Sequence, residues 1–345
     1  LTTIIVSALA MVLGLDVQVA AGEPLEAARA RLGPGDTLRL GPGVHRGALG
    51  RGAGLRVAGA GAGVTVLLVP QGEDGLVADG AVALSGLTIV AGPRRSALKV
   101  LGGAATLDGV ALEGGSCGAF VDEGRLSGRD VWLGGDYGLL ARRGDVALRD
   151  VTARGRLAGV ALLGGTLELT RAAVTGPSQE AGVSVAAGRA TLAEVVVRDP
   201  GPSGIAVSGG ELTARDLAVA GPRSEGGLGD CLQVRRATVR LEASALVACG
   251  GAAVEASRAT LALDGVDAGG GEAGCLVLAD HSRADLAATL CTRRGPGLVA
   301  AEGSTVRAFG ARFWTDPAMW VDCGSGARVE LVGEPPARQP CRTTP

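Results

Sequence analysis

From Thr37 onward the chain alternates apolar and polar residues in short runs, TLRL, GLRV, VTVLL, GLVA and GLTIV among them, most of them punctuated by Gly or Gly-Pro. Runs of three to five residues with period two and many β-branched side chains are too short for helices and read as strands. Anchored on Leu87, equivalent positions recur at Val110, Val131, Val151, Ala172, Val195, Leu217, Ala245, Val266, Thr289 and Ala311. The spacing is 20 to 23 residues throughout, apart from 28 between Leu217 and Ala245. A period near 22 that survives over most of the chain identifies a repeat architecture.

Each period has the same internal order. An ATL-like strand is followed by a turn, the anchor strand, a variable loop, a third strand such as Gly182-Val183-Ser184-Val185, and a Gly-rich turn. Three short strands per coil predict an all-β fold, a single-stranded right-handed parallel β-helix in which every strand bonds to its copy one coil away. About twelve coils at about 4.8 Å would make a rod of about 55 Å. A leucine-rich repeat shares the period but needs Asn or Cys at its turn, and the chain has no Asn. The scattered glycines at Gly134-Gly135-Asp136 and Gly269-Gly270-Gly271-Glu272 do not form successive calcium-binding nonapeptides.

Upstream of the repeat, Glu23 to Leu32 (EPLEAARARL) has Pro second, apolar residues at helical spacing and Gly33-Pro34 as a stop, which predicts a capping helix over 23–32. Such a helix would cover the open end of the stacked sheets. Leu1 to Leu15 is an apolar run too short for a confident membrane span, and Val19-Ala20-Ala21 offers small residues for a signal peptidase. The expected organisation is a signal peptide over 1–21, a β-helix domain over 22–332 and a Pro-rich tail over 333–345, in a protein that is secreted, periplasmic or at the cell surface.

Composition narrows the interior. Hydrophobic residues make up 47% of the 345 positions, aromatics only 2%, and 59 are Gly, so Val, Leu and Ala must fill the core. The formal charge of −2 comes without long runs of one sign, so no basic stripe for nucleic acid is present.

The run from Pro24 to Gly47 contains Leu25-Glu26-Ala27-Ala28, Pro34-Gly35-Asp36-Thr37 and Pro42-Gly43-Val44-His45-Arg46-Gly47. It resembles the opening coil of the pectate-lyase-like right-handed β-helix superfamily, with His45 where an aromatic is usual. The resemblance implies the fold and leaves the activity open, since that superfamily holds lyases, hydrolases, adhesins and non-catalytic members. Its hydrolases use Asp residues on consecutive coils, and its lyases a calcium-binding acidic cluster with an Arg or Lys base. The hydrolase elements N-T-D, D-D, G-H and R-I-K are absent here.

Candidate chemistry is correspondingly sparse. Asp280-His281 in a turn, with Asp230 two coils earlier and Asp322 two coils later, is the best catalytic grouping, though a turn Asp-His is more often a solvated surface pair. Arg235-Arg236 and Arg142-Arg143 could meet an anionic glycan or simply form a solvated rim. Trp132, Tyr137, Trp314 and Trp320 could offer sugar-stacking faces on the variable-loop edge, and Trp314 with Trp320 could equally cap the last coil. Seven cysteines with no C-x-x-C predict no zinc site, and no metal or cofactor is expected. Cys231 begins a third strand and Cys249 ends the next anchor strand, and Cys275 and Cys291 stand in the same relation two coils on. The expected disulfides are Cys231–Cys249, Cys275–Cys291 and Cys323–Cys341, with Cys117 left over. The leading expectation is an exported non-catalytic scaffold with a possible binding edge for polysaccharide or envelope components. The alternatives are a polysaccharide lyase or glycoside hydrolase with an atypical site, or a carbohydrate-binding module.

Overall fold

The computed structural model describes residues 14–176, 178–222, 229–292, 296–314 and 321–332. The apolar run at the start, Trp320, Cys341, the tail over 333–345 and most of the insertion before Asp230 lie outside them. The described chain is a parallel β-solenoid built from three ladders.

The first ladder starts at Asp16–Val19, passes through Thr37–Leu40 and Leu55–Ala58, and ends at Arg328–Val332. It has fifteen rungs and therefore fourteen turns, where the periodicity predicts about twelve. The difference comes mainly from upstream of Leu87, where the spacing is irregular: Thr37 pairs with Arg56, but Leu55 pairs with Val82. The long insertion also shifts one anchor. Ala218 pairs with Ala245, so Ser244, and not Ala245, stands opposite Leu217.

The helix is also corrected. It spans five residues, Leu25–Arg29, and it follows the rung Asp16–Val19 instead of closing the end of the ladder. Its last turn tightens through Arg31 N–H to Ala28 O and Leu32 N–H to Arg29 O, which ends it early. Leu25 and Ala28 bury its apolar side. Asp36 then ties the turn together, accepting the N–H of Gly33 and that of Leu15 at 2.6 Å each. These two bonds hold its carboxyl below the usual range. His45 is fully buried, with Nε2 2.9 Å from Gly41 O, so it fills a packing position.

Two features recur along the solenoid. Between the first and second strands the chain turns on one left-handed residue, and with no Asn available it uses Gly86, Gly109, Asp130, Asp150, Arg171, Glu194, Asp216, Ala243, Gly265, Ala288 and Gly310. Where the third strand begins, Gly118, Gly138, Gly159, Gly182 and Gly204 form a column. A Cβ on any of them would press on the carbonyl of the next residue in the column, at 2.5 Å for Gly138 against Gly159 O. From the next coil the column changes to Cys231, Ala253 and Cys275. The corner widens there, and both described disulfides fill it: Cys231–Cys249 and Cys275–Cys291, with Cα separations of 5.4 and 6.0 Å. Cys323 is also disulfide-bonded, while Cys341 lies outside the described residues. Inside, Leu, Val and Ala stack into one continuous core along the rod.

Candidate active site

The third ladder presents one outward row, Val77, Lys99, Phe120, Leu140, Ala161, Ser184, Ala206, Gln233, Glu255, Val277, Val299 and Asp322, each in register with the next. From Val77 to Val299 these side chains are half-buried or buried. A variable loop precedes most strands of this ladder. Asp74, on one such loop, reaches Lys99 at 2.8 Å and also accepts the N–H of Ser96. The face is therefore a partly buried strip, mostly apolar or small.

In the middle of that strip two carboxylic acids meet. Asp230 opens the strand Asp230–Arg235, and Glu255 lies one coil on in Ala252–Ser257. The Asp230 side chain hydrogen-bonds Glu255, and its Oδ1 accepts the N–H of Ala252 at 2.6 Å. Gln233 Nε2 donates to Glu255 Oε2 at 3.1 Å. Burial pushes the Asp230 carboxyl up to about 6, the Glu255 hydrogen bond and charge push the same way, and the Ala252 N–H and the Arg235 charge oppose them. Burial and the neighbouring Glu255 carboxyl thus let Asp230 keep its proton up to about pH 6, well above an ordinary carboxylic acid.

The residues expected from the sequence fall elsewhere. Asp280 and His281 are both left-handed turn residues beyond the end of a third strand. Asp280 Oδ2 accepts the Ser257 hydroxyl at 2.6 Å, and this bond, followed by one with Glu302, keeps its carboxyl below the usual range and so ionised. Register sets Asp280 roughly 20 Å from Asp230 along the strand direction, and Asp322 about 14 Å from Glu255 along the rod. Those three acids do not converge. Arg235 is exposed at the end of the strand that carries Asp230, and Arg236 turns away from it with φ of 51°. Arg142 and Arg143 are ion-paired with Asp122 and Glu123. Trp314 closes the second-ladder strand Arg312–Trp314.

Cys117 is buried beside Ser116, and burial pushes its thiol up, which suits packing more than nucleophilic attack. Among the described residues no group of three or more His, Cys, Asp or Glu side chains could hold a metal ion. No helix among them is long and apolar enough to cross a membrane.

Comparison with solved structures assigns the architecture. The Agl-KA catalytic domain matches with a TM-score of 0.53 at 12% identity, covering 93% of this chain and 68% of that one. The Dettilon tailspike protein matches at 0.48 and 12% identity, covering 92% and 68%. Pectate lyase Pel9A matches at 0.39 and 11% identity, covering 90% and 78%. No family model matches the chain, and no curated protein sequence does. The fold is the pectate-lyase-like right-handed parallel β-helix.

The expectation of a non-catalytic scaffold is corrected by these findings. It rested on missing motifs, yet a catalytic domain shares this fold over nearly the whole chain. A motif search also passes over Asp230–Glu255, because the two acids come together only through coil register. A signal for them did exist. Asp230 follows the longest interval and occupies a row otherwise filled by residues such as Ala181, Ser203 and Ala252, and Glu255 stands in a row of mostly neutral side chains.

Proposed function

We propose that the protein cleaves glycosidic bonds in a polysaccharide, with Asp230 and Glu255 as its acid/base pair. The observation that carries this reading is the partly buried Asp230 carboxyl, raised to about 6 beside Glu255 on the outward face of the third ladder. The strip runs along the rod, is open to solvent, and suits an extended polymer better than a small molecule enclosed on all sides. The two carboxyls are in contact, closer than the separations of about 5–5.5 Å or 6.5–9.5 Å that two-carboxylate glycosidases use for retaining and inverting hydrolysis. The pair therefore fills one role. The Asp230 proton goes to the leaving glycosidic oxygen as the carbon–oxygen bond breaks. The carboxylate regains a proton either from the water whose oxygen bonds to the sugar carbon, in hydrolysis, or from the adjacent sugar C–H as a carbon–carbon double bond forms, in elimination. Gln233 keeps Glu255 facing its partner.

The two disulfides support an oxidising compartment outside the cytoplasm. Export with removal of 1–21 would also remove the rung Asp16–Val19, leaving Thr37–Leu40 as the first rung of a domain over 22–332. N-terminal sequencing of the secreted protein reads this directly.

Activity is tested by incubating the full chain with a panel of neutral and acidic polysaccharides and measuring new reducing ends. Hydrolysis gives reducing ends alone, and elimination adds an unsaturated product that absorbs in the ultraviolet. Asp230→Asn and Glu255→Gln should each lower the rate about 10²- to 10⁴-fold. Binding without turnover across the panel, or turnover indifferent to both substitutions, would sink the proposal.

A further inference from the structure

Asp230 is the first residue of its strand. The restraint on its side chain comes from the residue after it and from the next coil. Cys231, the next residue, is bonded to Cys249, and Cys249 is three residues before Ala252, whose N–H donates to Asp230 Oδ1. Asp230, Cys231, Cys249, Gly250, Gly251 and Ala252 thus form a ring of covalent bonds closed by one hydrogen bond of 2.6 Å. A second bond, Gly251 N–H to Gly229 O at 2.9 Å, braces it. Two consecutive glycines would otherwise leave this segment with wide backbone freedom.

Gly251 has its own part. A Cβ built there would land on Asp230 Oδ1, while its other nearest neighbour outside that carboxyl, the Gly229 carbonyl carbon, is at ordinary contact distance, 3.6 Å. The Gly251 backbone does not lie in the left-handed region. The missing side chain is therefore explained by the carboxyl and not by the turn.

We infer that the Cys231–Cys249 bridge and Gly251 are positioning residues that hold the Asp230 carboxyl against Glu255. This rests on Asp230–Glu255 being the acid/base pair. It assigns the bridge a role in proton transfer beyond that of a staple, and makes the site sensitive to reduction. The second bridge, Cys275–Cys291, starts from the same column two coils on and provides an internal control.

The experiment compares full-length Gly251→Ala, Cys231→Ala/Cys249→Ala and Cys275→Ala/Cys291→Ala proteins. Each is read by carboxyl-carbon NMR titration of Asp230, by the pH–rate profile on any polysaccharide turned over, and by thermal unfolding. Gly251→Ala and loss of the first bridge should lower the Asp230 titration midpoint by about one pH unit or more toward an ordinary carboxylate. The acid limb of the rate profile should follow it, and loss of the second bridge should leave both unchanged. An unmoved midpoint in Gly251→Ala, or equal shifts on losing either bridge, overturns the inference. The titration does not require turnover, so failure of the enzymatic reading is seen separately. If loss of the first bridge prevents folding, Gly251→Ala still decides the matter.

Discussion

The first and third ladders are made from the same coils, share one core, and present opposite surfaces. Outward positions of the first ladder carry opposite charges one coil apart: Arg39 on Asp16, Arg129 on Asp108, Arg189 on Glu211. Arg171 on Asp150 repeats the pattern in the bend beside it. All are well solvated. The third ladder carries mostly small and apolar residues, with Asp74–Lys99 near one end, Asp230–Gln233–Glu255 in the middle and Asp322 at the other end. The contrast shows that charge density on a solenoid is a poor guide to chemistry. Charges that face water are paired with their opposites and screened by it, whereas the Asp230 carboxyl is partly buried beside a second acid.

The sharpest break of this comparison is functional. Asp230→Asn or Glu255→Gln should remove nearly all turnover, and Asp108→Ala with Arg129→Ala on the first face should change the rate less than twofold. Equal losses from both faces would mean that the strip is not the site. Next in size is the corner that leads into the third face. Gly138→Ala forces a Cβ onto Gly159 O at 2.5 Å, with two further carbonyls at 3.1 Å. It should cost about 1–3 kcal/mol in urea unfolding, as overpacking does. The Cys231 corner already accepts side chains, so Ala253→Gly should cost less. A tolerant Gly138 would remove the steric reason for the glycine column.

Much of the fold was legible because a solenoid writes its core as a period. Leu87, Val110, Val131 and Val195 each occupy one step of the same buried column, and periodicity alone places them. The Cys231–Cys249 and Cys275–Cys291 pairs were partly legible for the same reason, since Cys231 and Cys275 share one column, although register sets Cys291 opposite Leu246 and not opposite Cys249. Periodicity failed where the period did. The first rungs are irregularly spaced, and the insertion displaced the anchor from Ser244 to Ala245. The site was harder still. Asp280-His281 drew notice as adjacent reactive residues, whereas Asp230 and Glu255 are 25 positions apart and become neighbours only through the pairing of Gln233 with Glu255. Outward positions are not constrained by the core, so nothing in the hydrophobic pattern distinguishes a solvated Glu from one facing another acid.

Between these extremes lies a stability effect with a defined sign. Folded, Asp230 holds its proton up to about 6, while unfolded it has the ordinary value of 3.8. From about pH 4 to 6 the folded chain binds more protons than the unfolded one, so stability falls as pH rises through that window, and above it the whole penalty is present. Asn cannot ionise, and it can still accept the Ala252 N–H and donate to Glu255. Asp230→Asn should therefore stabilise the protein at pH 8 by about 1 kcal/mol, less than a fully buried group would give because the carboxyl is partly solvated, and by nothing measurable near pH 4. A variant that loses activity while gaining melting temperature only at high pH would mark Asp230 as strained for function. A gain independent of pH would point to packing instead.

The smallest effect is expected on the first face, and its smallness is the test. Arg129 binds Asp108 through two parallel hydrogen bonds of 2.9 Å, the geometry that gives ion pairs their best chance. The guanidinium holds the Asp108 carboxyl below the usual range, so any stability the pair adds is present above the unfolded value and disappears as pH falls through the lower folded one. Yet the side chains are 66% and 50% exposed, and water and salt screen what the geometry offers. A double-mutant cycle of Asp108→Ala and Arg129→Ala in physiological salt should return a coupling indistinguishable from zero, with a small loss appearing only at low ionic strength. A coupling that survives high salt would mean that the first face is not simply solvated, and the division of labour between the two ladders would have to be redrawn.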